Sequence, residues 1–172
     1  LPYFKHGRLR FIANRQERLA AFRKGDITLL EKVTVGEATE LNKRNDYTVA
    51  QTNTHRLIHL GVNSRSTTRE IYDTVSGKRL PANPFANLKV RQALSMGIDR
   101  EALIHHVLQQ SGTVASQYVL PDVSSYSPLV KAQAYQPDEA RRLLAEAGYP
   151  NGFSVPLYGP NDRYMNDAAI LE

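Results

Sequence analysis

PDEARRLLAEAGYPNGF, residues 137–153, sets a helix start, a helix stop and the opening of a strand side by side. Gln136 stands at the N-cap position. Pro137 takes the first helical position, where a missing N–H costs nothing, and Asp138 and Glu139 meet the positive end of the helix dipole. Leu143, Leu144 and Ala147 recur at the three- and four-residue spacing of one helix face, and Gly148 supplies a left-handed stop. The chain then turns toward a strand expected over residues 154–158. No side chain here is arranged for reaction chemistry, so the stretch reads as the wall of a body rather than as a site.

Working outward, the same punctuation recurs. Residues 9–13 read as a short strand, and Asn14 caps a helix that carries Leu19, Ala20 and Phe22 inward and stops at Gly25; Glu17 stands where a capping box would reach back. Residues 27–30 and 47–50 read as strands, with a short helix over residues 36–41 between them. Residues 55–63 alternate in the strand period through Ile58, Leu60 and Val62. Strand, helix, strand, helix, strand is an α/β pattern.

Residues 64–83, SRSTTREIYDTVSGKRLPAN, are polar, without a sustained apolar period, and read as a long loop. A junction is therefore expected near Asn63. Beyond it, Val90, Ala93 and Leu94 mark a helix over residues 88–96, Asp99 caps another through Leu108, and residues 118–120 form a short strand.

Composition bounds the functional classes. The 172 residues carry a net charge of +5, 41% hydrophobic and 23% charged side chains, as soluble globular proteins do. Without cysteine, disulfides and thiolate metal sites are excluded. The basic residues are dispersed, with Arg8, Arg10, Arg15, Arg18, Arg23 and Lys24 alternating with apolar neighbours, which argues against a nucleic-acid face. No apolar run reaches the roughly 20 residues that a spanning helix needs.

Three ordered segments carry a resemblance. NPFANLKVRQALSMGIDREALI (83–104), YQPDEARRLLAEAGYPNGFSVPLYGPNDRYMNDAAILE (135–172) and the upstream RQERLAAFRKGDITLLEKV (15–33) resemble the extracytoplasmic solute-binding protein family of ABC importers, which includes dipeptide-, oligopeptide- and nickel-binding receptors. The resemblance implies an internal fragment of a longer two-lobe, periplasmic-binding-protein-like α/β fold, with mixed sheets flanked by helices. Residues 1–63 would belong to the first lobe and end in a crossing strand, residues 64–86 would link, and residues 87–172 would begin the second lobe. It further implies a small-molecule or peptide ligand, membrane permease subunits as partners, no resident cofactor, a monomeric parent, and a periplasmic or lipid-anchored location. The family's acidic anchor for a peptide amino group would lie outside this chain.

Ligands of open α/β sheets bind beyond the C-terminal ends of strands. That rule points to Glu31 and Lys32 after the second strand, to His59 and Asn63 on the crossing strand, and to Asn161, Arg163 and Tyr164 after residues 154–158. Each has a plainer reading as a solvated turn, packed strand residue or helix cap. Arg163 stands out because a guanidinium can clamp a carboxylate with two hydrogen bonds. His55 and His59 in a strand would lie roughly 13 Å apart. His105 and His106, adjacent on a helix, would point about 100° apart, so no metal centre is expected. Hydrolase elbows, phosphate-binding glycine loops and cysteine nucleophiles are missing. The expected function is non-catalytic solute capture; a ligand-sensing module of a transcription regulator and an unrecognised hydrolase are the alternatives.

Overall fold

The computed structural model describes residues 3–52, 54–65, 70–160 and 170. The chain divides into two compact units, Leu1–Val49 and Ala50–Glu172. In the first, helix α1 (Arg15–Arg23) opens where the Asn14 side-chain oxygen accepts from the N–H groups of Gln16 and Glu17 at 2.9 and 3.1 Å. It closes at Lys24, and Gly25 takes φ 81°, a conformation that glycine reaches without strain. The reciprocal capping box expected at Asn14 and Glu17 forms instead at helix α2 (Val35–Asn42). There Thr34 Oγ1 accepts from Glu37 N–H at 3.3 Å while the Glu37 carboxylate accepts from Thr34 N–H at 2.9 Å. Threonine and glutamate three residues apart match this motif.

This unit is thinly packed. Leu41 is its one buried residue among those described, Phe22 meets Tyr47 at 5.1 Å between ring centroids, and Leu9, Phe11 and Leu29 lie 78%, 92% and 74% exposed. The Arg18 guanidinium donates to the carbonyls of Ile12 and Ala13 at 2.7 and 3.2 Å, holding the incoming chain against α1. The expected strands over residues 9–13, 27–30, 47–50, 55–63 and 118–120 pair with no ladder partner among the described residues. Apolar alternation gives a segment β propensity, but a strand exists only through the hydrogen bonds of its neighbour.

The second unit holds the core. Helix α3 (Leu88–Met96) starts on Asn87, whose side chain accepts from Lys89 N–H at 2.9 Å; helix α5 (Pro137–Glu146) starts at Gln136 without a side-chain cap and with Pro137 in its first turn. The two helices run antiparallel. Gln136 N–H donates to Met96 O at 2.9 Å at one end, and Lys89 Nζ meets Glu146 Oε2 at 2.8 Å at the other. Ala93 and Ala140, both buried, let the helices approach closely, with Leu143, Leu144 and Met96 filling the seam. Between them α4 (Arg100–Ala102) opens on Asp99, whose carboxylate accepts from Ala102 N–H at 2.9 Å, and continues as a wide turn over Leu103–Val107.

The rest of the core comes from the stretch expected to be linker. Ile71, Asn83, Pro84 and Phe85 are buried, and Val90, with 1% of its surface exposed, packs in one cluster with Ile71 and Phe85. Strand β1 (Tyr72–Asp73) pairs antiparallel with β2 (Phe153–Ser154), so the only part of the expected strand over 154–158 that is paired is its first residue, Ser154. A hairpin turn follows β1: the Asp73 carboxylate accepts from the N–H groups of Val75 and Ser76, Gly77 takes φ 66°, and Leu80 N–H returns to Ile71 O at 2.8 Å. Phe85, Phe153 and Tyr149 complete the cluster edge to face, with centroids 5.4 and 5.3 Å apart. Each such side chain removed from water contributes about 2 kcal/mol.

Candidate functional site

Asn83 is the buried polar residue that organises the approach to the candidate ligand residues. Its Oδ1 accepts from Phe85 N–H at 3.0 Å, while Nδ2 donates to Asn63 O at 2.7 Å and to Arg65 O at 2.6 Å. The backbone of Asn63 is thereby tied to the core. The Asn63 side-chain oxygen accepts from Arg65 N–H at 3.1 Å in a local turn, and the residue is exposed.

Upstream of Asn63, the extended segment meets the loop that follows α4 through three side-chain pairs. Gln51 Nε2 donates to Ser111 Oγ at 3.1 Å, His55 Nε2 lies 3.2 Å from Asp122 Oδ2, and the His59 ring meets Tyr118 edge-on at 5.3 Å. The loop is braced by Gln117, whose side chain bonds both the N–H and the carbonyl of Ser127 at 3.2 and 2.8 Å. His55, His59, Tyr118 and Asp122 are all exposed. The row exposes donors, acceptors, a carboxylate and an aromatic ring. It contains no hydroxyl or amine held by a base in the manner of an activated nucleophile.

The remaining candidates fall elsewhere. Glu31 is exposed in the first unit, beside Lys32, whose φ of 59° marks a left-handed turn. Asn161, Arg163 and Tyr164 lie outside the described residues. His59 and Asn63 therefore share the second unit, and Glu31 belongs to the first. Tyr118 and Asp122, which face the histidines, escaped sequence reasoning because their partners are some sixty residues away along the chain. Local spacing carries no sign of such pairs.

Two observations bear on metals. Among the described residues no three His, Asp or Glu side chains gather as a ligand set. The rings of His105 and His106 meet: their Nδ1 atoms stand 3.4 Å apart, with the ring planes at 71°. Both residues sit in the wide turn, in which Leu108 N–H reaches back five residues to Leu103 O.

The arrangement also carries charge on α5. The Arg142 guanidinium beside Glu139 holds that carboxyl below the usual glutamate range, and Lys89, with Arg142 behind it, does the same for Glu146. Both pairs are exposed and help hold α5 rather than a ligand. No helix among the described residues is long and apolar enough to cross a membrane.

Comparison with known proteins extends the reading. The sequence pattern of bacterial extracellular solute-binding proteins, family 5 (middle part), matches residues 1–171. Heme-binding protein A of Haemophilus influenzae is 45% identical over 97 residues, which are 52% of this chain and 18% of that protein. Glutathione-binding protein GsiB of Shigella flexneri is 42% identical over 80 residues (46% of this chain, 16% of that one), and GsiB of Escherichia coli K12 is 43% identical over 79 residues (46% and 15%). The chain thus spans under a fifth of the length of these curated relatives. With its matched pattern running from the first residue to residue 171, the chain belongs to the bacterial extracellular solute-binding proteins of family 5.

Proposed function

We propose that the protein carrying this chain is the substrate-binding component of an ABC-type importer, which captures a peptide or similar small polar solute outside the cytoplasm and delivers it to a membrane permease. The observation that carries this reading is the family match over residues 1–171. The relatives are named for binding glutathione, itself a tripeptide, and heme, so both a peptide and a larger carboxylate-bearing solute fall within reach. Capture is not catalysis, and the exposed row of Gln51, His55, His59 and Tyr118 suits it: hydrogen bonds and an aromatic edge hold a solute without activating it.

In this reading Glu31, His59, Asn63, Asn161, Arg163 and Tyr164 contribute ligand contacts. Residues 1–63 belong to one lobe, ending in a crossing strand, and residues 87–172 begin the other. Closure around solute is then a hinge motion between bodies that keep their internal packing, stabilised by the ligand's greater affinity for the closed form. The α3–α5 pair is part of such a body. The protein works as a monomer, in the periplasm or tethered by lipid.

The test is calorimetric titration of the intact protein with glutathione, a panel of di- and tripeptides, and heme, followed by recovery of the probe. One site per chain and unchanged recovered probe is the expected result. Failure of every probe to bind, or recovery of a cleaved probe, overturns the proposal.

A further inference from the structure

The pair His105 and His106 stands outside the solute-binding reading. Both rings are exposed, and among the described residues neither has a hydrogen-bond or ionic partner other than its neighbour. Adjacent histidines on a regular helix diverge by about 100° and cannot share an ion. Here, within the wide turn of residues Leu103–Val107, the two rings converge instead, with their Nδ1 atoms 3.4 Å apart. The turn is held open from both sides: Leu108 N–H donates to Leu103 O at 3.0 Å, and Gln110 N–H to Ile104 O at 2.9 Å. It ends in two successive left-handed residues, Gln109 at φ 47° and Gln110 at φ 62°. Non-glycine residues in this region cost roughly 1 kcal/mol each, so this ending is not the cheapest way to stop a helix.

We propose that His105 and His106 chelate one Zn2+ through their Nδ1 atoms. Two nitrogens bound to tetrahedral zinc at about 2.05 Å lie roughly 3.3 Å apart, while square-planar coordination at about 2.0 Å brings them to roughly 2.8 Å. The observed 3.4 Å matches the tetrahedral bite. Each ring keeps its proton on Nε2 and directs its Nδ1 lone pair to the ion, so both histidines bind as neutral ligands. The other two positions take water or a donor atom from a second molecule, which makes this an exposed, exchangeable site rather than a closed structural one. It belongs to the turn after α4 and is separate from the row around His59.

The experiment uses the intact protein stripped with chelator. Zn2+ is titrated in by calorimetry, and Co2+ as a spectroscopic stand-in, with the parent compared with His105→Ala, His106→Ala and, as a control, His55→Ala. One binding event should weaken at least about tenfold in both His105→Ala and His106→Ala and persist in His55→Ala, because a single bidentate site loses most of its affinity when one ligand goes. Bound Co2+ should show the strong visible bands of four-coordinate geometry. Independently of any variant, Zn2+ should protect the peptide bearing residues 105 and 106 from imidazole acylation, as read by mass spectrometry. Zinc affinity and stoichiometry unchanged in either histidine variant, no binding up to millimolar Zn2+, or acylation of that peptide unaffected by zinc would each overturn the assignment.

Discussion

Replacing Asn83 tests how the core reaches the candidate ligand residues. Asn83 is 6% exposed and makes three hydrogen bonds, one accepted from Phe85 N–H and two donated to the carbonyls of Asn63 and Arg65. At about 1 kcal/mol each their loss amounts to ~3 kcal/mol. Asn63 and Arg65 are exposed, so water can satisfy their carbonyls in Asn83→Ala, and about 2 kcal/mol remains, much of it from the buried Phe85 N–H. Asn83→Asp is the sharper variant. It keeps an acceptor for Phe85 N–H but sets a carboxylate oxygen against two carbonyl oxygens where the amide now donates at 2.7 and 2.6 Å. The substituted carboxyl's folded pKa is therefore raised above its unfolded value. Its penalty is full at neutral pH and is relieved as pH falls through the folded pKa, because the protonated form can donate to one carbonyl. Urea unfolding of the intact protein at several pH values, with hydrogen exchange read over residues 62–90, measures both effects. Asn83→Asp as stable as the parent at neutral pH, with unchanged exchange in that segment, would refute the reasoning.

Other outcomes follow from the same packing and charges. Val90→Ala deletes two methyl groups at the most enclosed point between Ile71 and Phe85 and should destabilise by ~2 kcal/mol, measured as a lower urea midpoint with unchanged slope. Glu139 and Glu146 should titrate below the usual glutamate range in carboxyl-resolved NMR, through their hydrogen bonds to Arg142 and Lys89. Because folding lowers both values, whatever stability they add is present above the unfolded glutamate pKa and is lost as pH falls through the folded one; Lys89→Met should move Glu146 upward. In the intact protein Arg163→Ala should weaken solute binding by ~1.5 kcal/mol, about tenfold in Kd by calorimetry, if Arg163 clamps a carboxylate.

The helices were legible because their signals are local. The Asn14 and Asp99 caps, Pro137 and the glycines at 25 and 148 each act within one turn; α1 and α4 begin on those caps, α5 begins at Pro137, and α1 and α5 end just before those glycines. The strands were not. Residues 9–13 and 55–63 have suitable side chains, yet a ladder needs a partner that their own sequence does not name. The polar stretch 64–83 hides its buried residues for a different reason: Ile71 and Leu80 are too widely spaced to show a period, and the Asp73–Gly77 turn between them brings them together. The surroundings of the candidate residues are only partly written in local sequence. His59 and Asn63 lie in the same unit, while the contacts that define them, Tyr118 and Asn83, are long-range. The convergence of His105 and His106 lies within a wide turn whose signal no helical spacing contains.

Solute capture is the central claim, and native mass spectrometry of the intact protein purified without added ligand tests it most directly. A small molecule that accompanies the folded protein one to one and leaves it intact on denaturation is the predicted result. A folded protein that carries nothing and takes up no peptide, glutathione or heme, or one that releases only a chemically altered solute, would contradict the account.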